Sequence, residues 1–341
     1  MNSAVNPSPS QLNGPLGALR TLVRAVPIPI AGLALGVVAL GNLLQPYGEP
    51  IHAACGVIGL LLVLVLLAKV ALFPGVIAAD MHNPIFGSVS ATLFMALMQL
   101  ATYLAPLAHI PALLLWWIAV VGHACVIVWF TVLALALGHF KLSDVYPTYF
   151  ICYVGIVVGS VTSPAVGMQA VGRTLFVFGF ACYVVTFVLV SVRYVRHPAP
   201  EGARPLFCIY AAPMSLSLAG YLSTHATPSL AFAIVLEVLA QALLLLVLLR
   251  LPSLLHLPFY PSYAAMTFPF VICAVALSKT LAALRATGFA VPGALDALLL
   301  AETALATLMV AYVLVRYLMF LATTALTAAK DQPVPGAVAR R

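Results

Sequence analysis

Groups that can exchange a proton, attack a carbonyl or hold a metal are sparse and isolated in this sequence. Two carboxylates, Glu237 and Glu302, fall inside apolar stretches, and Asp296 lies at the edge of the stretch that contains Glu302. Burying an ionisable group at membrane depth is costly and usually marks a functional position. Glu237 and Glu302, with His82 beside an apolar stretch, are therefore the candidate titrating groups for any proton-coupled movement of a solute. His52, His82, His109, His139, His197, His225 and His256 flank apolar stretches; His123 lies within one, two residues before Cys125. Residues two apart on a helix do not share a face, so this pair makes a poor metal site. The six cysteines show no CxxC spacing, which fits neither a disulfide framework nor a zinc site. No Walker loop, HExxH or GxSxG occurs. The expectation is a non-enzymatic protein with no cofactor and no metal.

Composition says where such a chain must sit. Of 341 residues, 15 are Lys or Arg and 8 are Asp or Glu, so 7% are charged while 64% are hydrophobic. A soluble domain has about 25% charged residues, and 7% is too few to coat a water-facing surface. The net charge of +7 is scattered singly between apolar runs, so no basic patch for nucleic acid exists. The expected partners are membrane lipid and small inorganic or carboxylate anions. Residues 1–24 lack the apolar core and cleavage site of a signal peptide and read as a polar tail with an interfacial turn near Leu16–Val23.

A bilayer core takes about 20 apolar residues per helix. That length predicts ten spans: Ile28–Leu44, Ile51–Leu72, Ile85–Leu104, Ala112–Leu137, Tyr149–Ser163, Val171–Val192, Leu206–Ser223, Ser229–Leu249, Phe259–Ser278 and Leu295–Ala322. Nearly all prolines fall at junctions, as they must where a missing N–H would break a helix; Pro213 and Pro269 are the two well inside a span. The expected organisation is a cytoplasmic tail over 1–25, a ten-helix transmembrane domain over 26–325 and a cytoplasmic tail over 326–341. A cytoplasmic N-terminus places twelve basic residues inside and three (Arg173, Lys279 and Arg285) outside, as the positive-inside rule requires. Trp116 and Trp117 then suit an outer aromatic belt.

The spans alternate in character. Even spans are bulky, as in LLLVLVLL at 60–67, whereas odd spans are rich in small and hydroxyl residues. Small residues let helix backbones approach, and hydroxyls are rarely spent on lipid. Five hairpins follow, with odd helices turned inward around a central pore and even helices outside. Gly32, Gly36, Gly155, Gly159, Ser215, Ala265 and Thr267 are the pore-lining candidates. Helices about 10 Å across leave a narrow central gap that one aromatic ring can plug. Pro269 leaves the Ala265 carbonyl, and Pro213 the Ile209 carbonyl, without its helical donor, so both odd spans should kink there. Phe268 stands beside the first of these kinks.

This layout resembles the tellurite-resistance/C4-dicarboxylate transporter family, related to the plant slow anion channels. The resemblance covers roughly residues 25–325. It is carried by Pro27-Ile28-Pro29, His82-Asn83-Pro84, Tyr146-Pro147, Ala212-Pro213 and Thr267-Phe268-Pro269, in that order. It implies a homotrimer in the cell (inner or plasma) membrane. Each protomer would have its own pore of five kinked inner helices, closed by a phenylalanine on the ninth, which is Phe268 here. Family members often carry a proline in most inner helices. This chain has mid-span prolines only in the seventh and ninth, so kinks in the first, third and fifth must come from glycine or be absent. Two functions fit: an anion-selective channel or uniporter with a carboxylate-free lumen, or a proton-coupled carrier of C4-dicarboxylates or oxyanions such as tellurite or sulfite.

Overall fold

The computed structural model describes residues 15–133 and 141–330. Residues 1–14 and 331–341 of the expected tails, residues 134–137 of the fourth expected span, and His139 lie outside these. Among the described residues every regular element is helical. Ten helices are long and apolar enough to cross a bilayer: α1 (Ile30–Tyr47), α2 (Glu49–Leu72), α3 (Pro84–Leu104), α4 (His109–Thr131), α5 (Thr148–Val166), α6 (Gln169–Arg196), α7 (Glu201–Thr224), α8 (Leu230–Leu255), α9 (Pro261–Ala286) and α10 (Gly293–Thr327). The helix containing α10 continues to Lys330, so the tail expected from residue 326 begins as helix.

The alternation read in the sequence is an inside–outside division. In the odd helices 61–83% of the apolar window is buried within the protein, against 28–33% in the even ones. Consecutive odd helices pack on each other in order, α1 on α3, α3 on α5, α5 on α7 and α7 on α9, and α9 returns to α1. The odd helices thus form a closed ring, and because successive spans alternate in direction they run parallel. Each even helix packs against the odd helices on either side of it, so α2 touches α1 and α3, α6 touches α5 and α7, and α10 touches α9 and α1. Leu60, Leu61 and Leu64 on α2 and Val184, Val185 and Val188 on α6 face outward, as a lipid-facing surface should.

Hydroxyls and small polar groups stitch the ring. Ser88 donates to Thr148 between α3 and α5 (2.7 Å), and Ser215 meets Cys273 between α7 and α9 (3.3 Å). Outer helices are tied in the same way. Trp116 of α4 is fully buried and donates its indole N–H to Thr162 of α5 at 2.9 Å. That corrects its expected place in an aromatic belt; its polar edge is worth more against a buried hydroxyl than against water.

Four of the inner helices are interrupted, while α1 runs unbroken from Ile30 to Leu44 before a terminal 3₁₀ turn and the outer ones are continuous where described. α3 breaks at Ser90, between Pro84–Val89 and Ala91–Leu104. α5 tightens into a 3₁₀ turn at Gly155–Val157. α7 begins as an eleven-residue 3₁₀ run, Glu201–Ala211, where 3₁₀ stretches are usually about 3–4 residues. α9 opens as a 3₁₀ segment, Pro261–Met266, then breaks at Thr267 (φ −109°, ψ −86°) before restarting at Phe268. Pro213 and Pro269 are therefore not kinks in continuous helices, as expected from sequence. Each sits in the first turn of a new helix, where its missing N–H costs nothing. The Ile209 carbonyl, expected to be left free by Pro213, accepts from the N–H of Ala212 instead.

The expected interfacial turn near Leu16–Val23 is a helix, Pro15–Ala25, packed on α10 and α2. The guanidinium groups of Arg20 and Arg24 lie 5.6 and 5.9 Å from the Phe73 ring.

Candidate transport pathway

Two cavities lie within the ring. The first, of about 270 Å³, is lined by residues from the N-terminal halves of all five odd helices and the turns that lead into them, and by none from an even helix. Its entrance is built by local rules. Asn83 caps α3, its Oδ1 accepting the N–H of Ile85 at 2.9 Å, and Pro84 supplies the first helical position. At the same end the Tyr260 hydroxyl donates to Glu201 at 2.7 Å. Among the described residues its lining contains no Asp, Glu, Lys, Arg or His.

The second cavity, of about 320 Å³, takes its lining from the C-terminal halves of α1, α3, α5 and α9. It is more polar: Asn42, Gln99, Thr102, Thr162, Ser278 and Lys279 all reach it. Gln45 and Pro46 at its rim are exposed. Leu35, Met95, Gly155, Leu216 and Phe268 mark the inner limit of the first cavity, and Ala39, Val271 and Ile272 that of the second. The layer between these two sets is largely apolar.

Of the residues singled out in the sequence, Gly32, Gly155, Pro213, Ala265, Phe268 and Pro269 line the first cavity. Phe268 is 6% exposed, whereas Phe270 is buried and lines neither cavity. Gly36, Gly159, Ser215 and Thr267, also expected to line the pore, line neither. A Cβ on Gly36 would stand 2.5 Å from Thr267, and one on Gly159 would stand 2.6 Å from Leu175 of α6. These glycines are sites of close helix approach. Ser215 donates to the Ala211 carbonyl (3.1 Å), and Thr267 to the carbonyls of Ala264 (2.7 Å) and Gly32 (3.1 Å). Their hydroxyls are spent on backbone.

The candidate titrating groups are not brought together in the path. His82 is exposed, its Nδ1–H donating to the Ala78 carbonyl at 2.8 Å. Glu237 is buried on α8, accepting from Gln241 (2.7 Å) and from Thr280 of α9 (3.1 Å). Glu302 on α10 faces the same cluster, buried with no hydrogen-bond partner to either oxygen among the described residues. Thr303, next to it in sequence, donates to the Leu299 carbonyl at 2.8 Å, and both carboxylates are buried within the protomer. His123 is buried and contacts the Cys152 carbonyl at 2.9 Å just before the α5 irregularity, a structural role.

Sequence reasoning missed one arrangement. His52 of α2 stacks on Tyr103 of α3, ring centroids 4.0 Å apart, and its Nε2 lies 3.0 Å from Asn42 Oδ1. Asn42 Nδ2 in turn donates to Gln99 Oε1 at 2.7 Å. The signal available was a carboxamide near the C-terminal end of each of two odd spans, with a histidine following closely on the first.

A closed ring of membrane helices, hollow at both ends, is the architecture of a membrane transport protein. The voltage-dependent anion channel family matches over residues 26–318, and the chain belongs to that family. Its class of function is anion transport across a membrane. No curated protein matches the chain.

Proposed function

We propose that the protein is an anion-selective channel or uniporter whose path runs along the axis of the five-helix ring and is closed by Phe268. One observation carries this reading: both cavities are lined by odd helices only, and Phe268 stands at the inner limit of the first. An ion crossing the apolar layer must shed water without finding replacement dipoles, so a phenyl ring there is a barrier by size and by dehydration. Cation pathways commonly use rings of carboxylates; neither cavity has one, and Lys279 stands in the second. The resemblance drawn from the sequence adds a homotrimer in the inner or plasma membrane, and the basic-residue distribution adds cytoplasmic termini. Reversal potentials of the reconstituted protein in a salt gradient test the reading. They should follow the anion, and a potential that follows the cation overturns it.

A second reading, proton-coupled carriage of a C4-dicarboxylate or of tellurite or sulfite, is favoured by Glu302, a buried carboxyl without a hydrogen-bond partner among the described residues. Uptake against a gradient, driven only by a pH difference, separates carrier from channel.

A further inference from the structure

We infer that the second cavity is a binding site for a compact anion, with donors from Lys279 and Gln99, and that His52 sets its affinity by fixing which way two carboxamides point. The inference rests on the reading of the ring as an anion path and names a site and a regulation within it.

Gln99 is 5% exposed and lines the cavity. Its Oε1 is taken by Asn42 Nδ2 at 2.7 Å. Its Nε2 has no protein partner among the described residues and is left to the cavity. Lys279 lines the same cavity and forms no ion pair among the described residues. An ammonium and a free amide N–H₂ in one half-enclosed space are a donor set for a halide or a carboxylate.

The direction of the Gln99 amide is dictated from behind. Thr102 Oγ1 lies within reach of both ends of the Asn42 amide, 3.0 Å from Nδ2 and 3.3 Å from Oδ1; with Nδ2 held on Gln99 Oε1, Asn42 Oδ1 faces His52 Nε2, which meets it as a donor in this arrangement. The other ring nitrogen, Nδ1, lies 3.3 Å from Glu49 Oε2, an exposed carboxylate that also accepts from Gln45. Each ring nitrogen thus faces an oxygen, Nδ1 that of Glu49 and Nε2 that of Asn42. When the ring is neutral with Nδ1–H turned to Glu49, Nε2 becomes an acceptor. Asn42 must then turn over to present Nδ2, and Gln99 must follow, placing Oε1 in the cavity where Nε2 had been. An anion then meets a carbonyl oxygen. The titratable groups around His52 are Glu49 and Cys55 on its own helix and Tyr103 on α3; from α1 it meets the amide of Asn42.

The test uses the full chain in liposomes, with chloride and succinate as probes and pH varied on the second-cavity side. The half-saturating concentration of each should rise on the order of tenfold from about pH 5.5 to about pH 8. His52→Gln should abolish that dependence. Lys279→Gln should weaken both probes at every pH and keep it. Gln99→Glu should weaken both throughout. A flat wild-type profile overturns the inference, as does an unchanged slope in a folded His52→Gln; if that variant does not fold, the wild-type profile decides. Thermal shifts of the solubilised protein with the same two anions give a readout without transport. Binding that weakens with pH in a protein that passes no anion keeps this inference and sinks the axial path; flux with pH-independent binding does the reverse.

Discussion

Thr267 Oγ1 donates to the Gly32 carbonyl at 3.1 Å, joining positions 235 apart. That bond links the break in the last inner helix to the first inner helix, and so closes the ring at the level where Phe268 begins the second half of α9. Gly36, one turn beyond Gly32, is where the two backbones come closest, since a Cβ there would overlap the Thr267 side chain.

Removing the plug should open the path. Phe268→Ala is expected to raise anion conductance, with Phe268→Leu intermediate, because the helix breaks on either side are fixed by backbone chemistry. Phe270→Ala is the control: buried and away from both cavities, it should cost about 3–5 kcal/mol of stability without raising conductance. Single-channel or liposome flux, paired with melting temperature, distinguishes the two. Equal effects at both positions would sink the gate.

Gly36→Ala tests the seam. The added methyl forces Thr267 to move, and overpacking of this kind costs roughly 1–3 kcal/mol. A lowered melting temperature is expected, with Thr267→Ser much milder because it keeps the donor. An unchanged melting temperature for Gly36→Ala would show that the seam gives way freely.

Glu302→Gln keeps shape and removes the ionisable group. Since neither Glu302 oxygen has a hydrogen-bond partner among the described residues and burying an uncompensated polar group is costly, the variant should be about as stable as the parent. Under the channel reading its passive anion flux is unchanged. Loss of pH-driven uptake with flux intact would instead support the carrier.

Topology follows from the basic residues. Reporters placed in the 197–200 loop and after Lys330 should report the cytoplasm, and one at Pro46–Gly48 the other side. A reporter after Lys330 that faces outward contradicts this orientation.

Much of the architecture was legible because membrane helices advertise burial by residue size. A strip of Gly, Ala, Ser and Thr recurring on every second span predicts which helices touch others on all sides, and the burial of the odd helices follows it. What size cannot say is which side of a buried helix a small residue faces. Gly32 and Gly155 border the first cavity, whereas Gly36 and Gly159 sit at helix contacts, with nothing in the sequence to separate them. Hydroxyls misled for a related reason: in a nonpolar surrounding Ser215 and Thr267 satisfy themselves on nearby carbonyls before they can serve a lumen. The breaks at Ser90 and Gly155 lack a proline at the break itself, so their positions were not legible. The His52–Asn42–Gln99 chain joins three helices, and no local pattern encodes such a juxtaposition.

Because α10 packs against α1 as each other even helix packs against the odd helix that follows it, the order of the elements is circular although the polypeptide is linear. The first and last helices of the ring meet at one seam, and because the ten spans alternate in direction, the start of α1 and the end of α10 lie on the same side of the ring. A linker joining α10 to α1, with a new opening at the 197–200 loop, would give a permuted chain with the same neighbours throughout. For this protein, where synthesis begins is a matter of insertion order; the ring itself has no first helix.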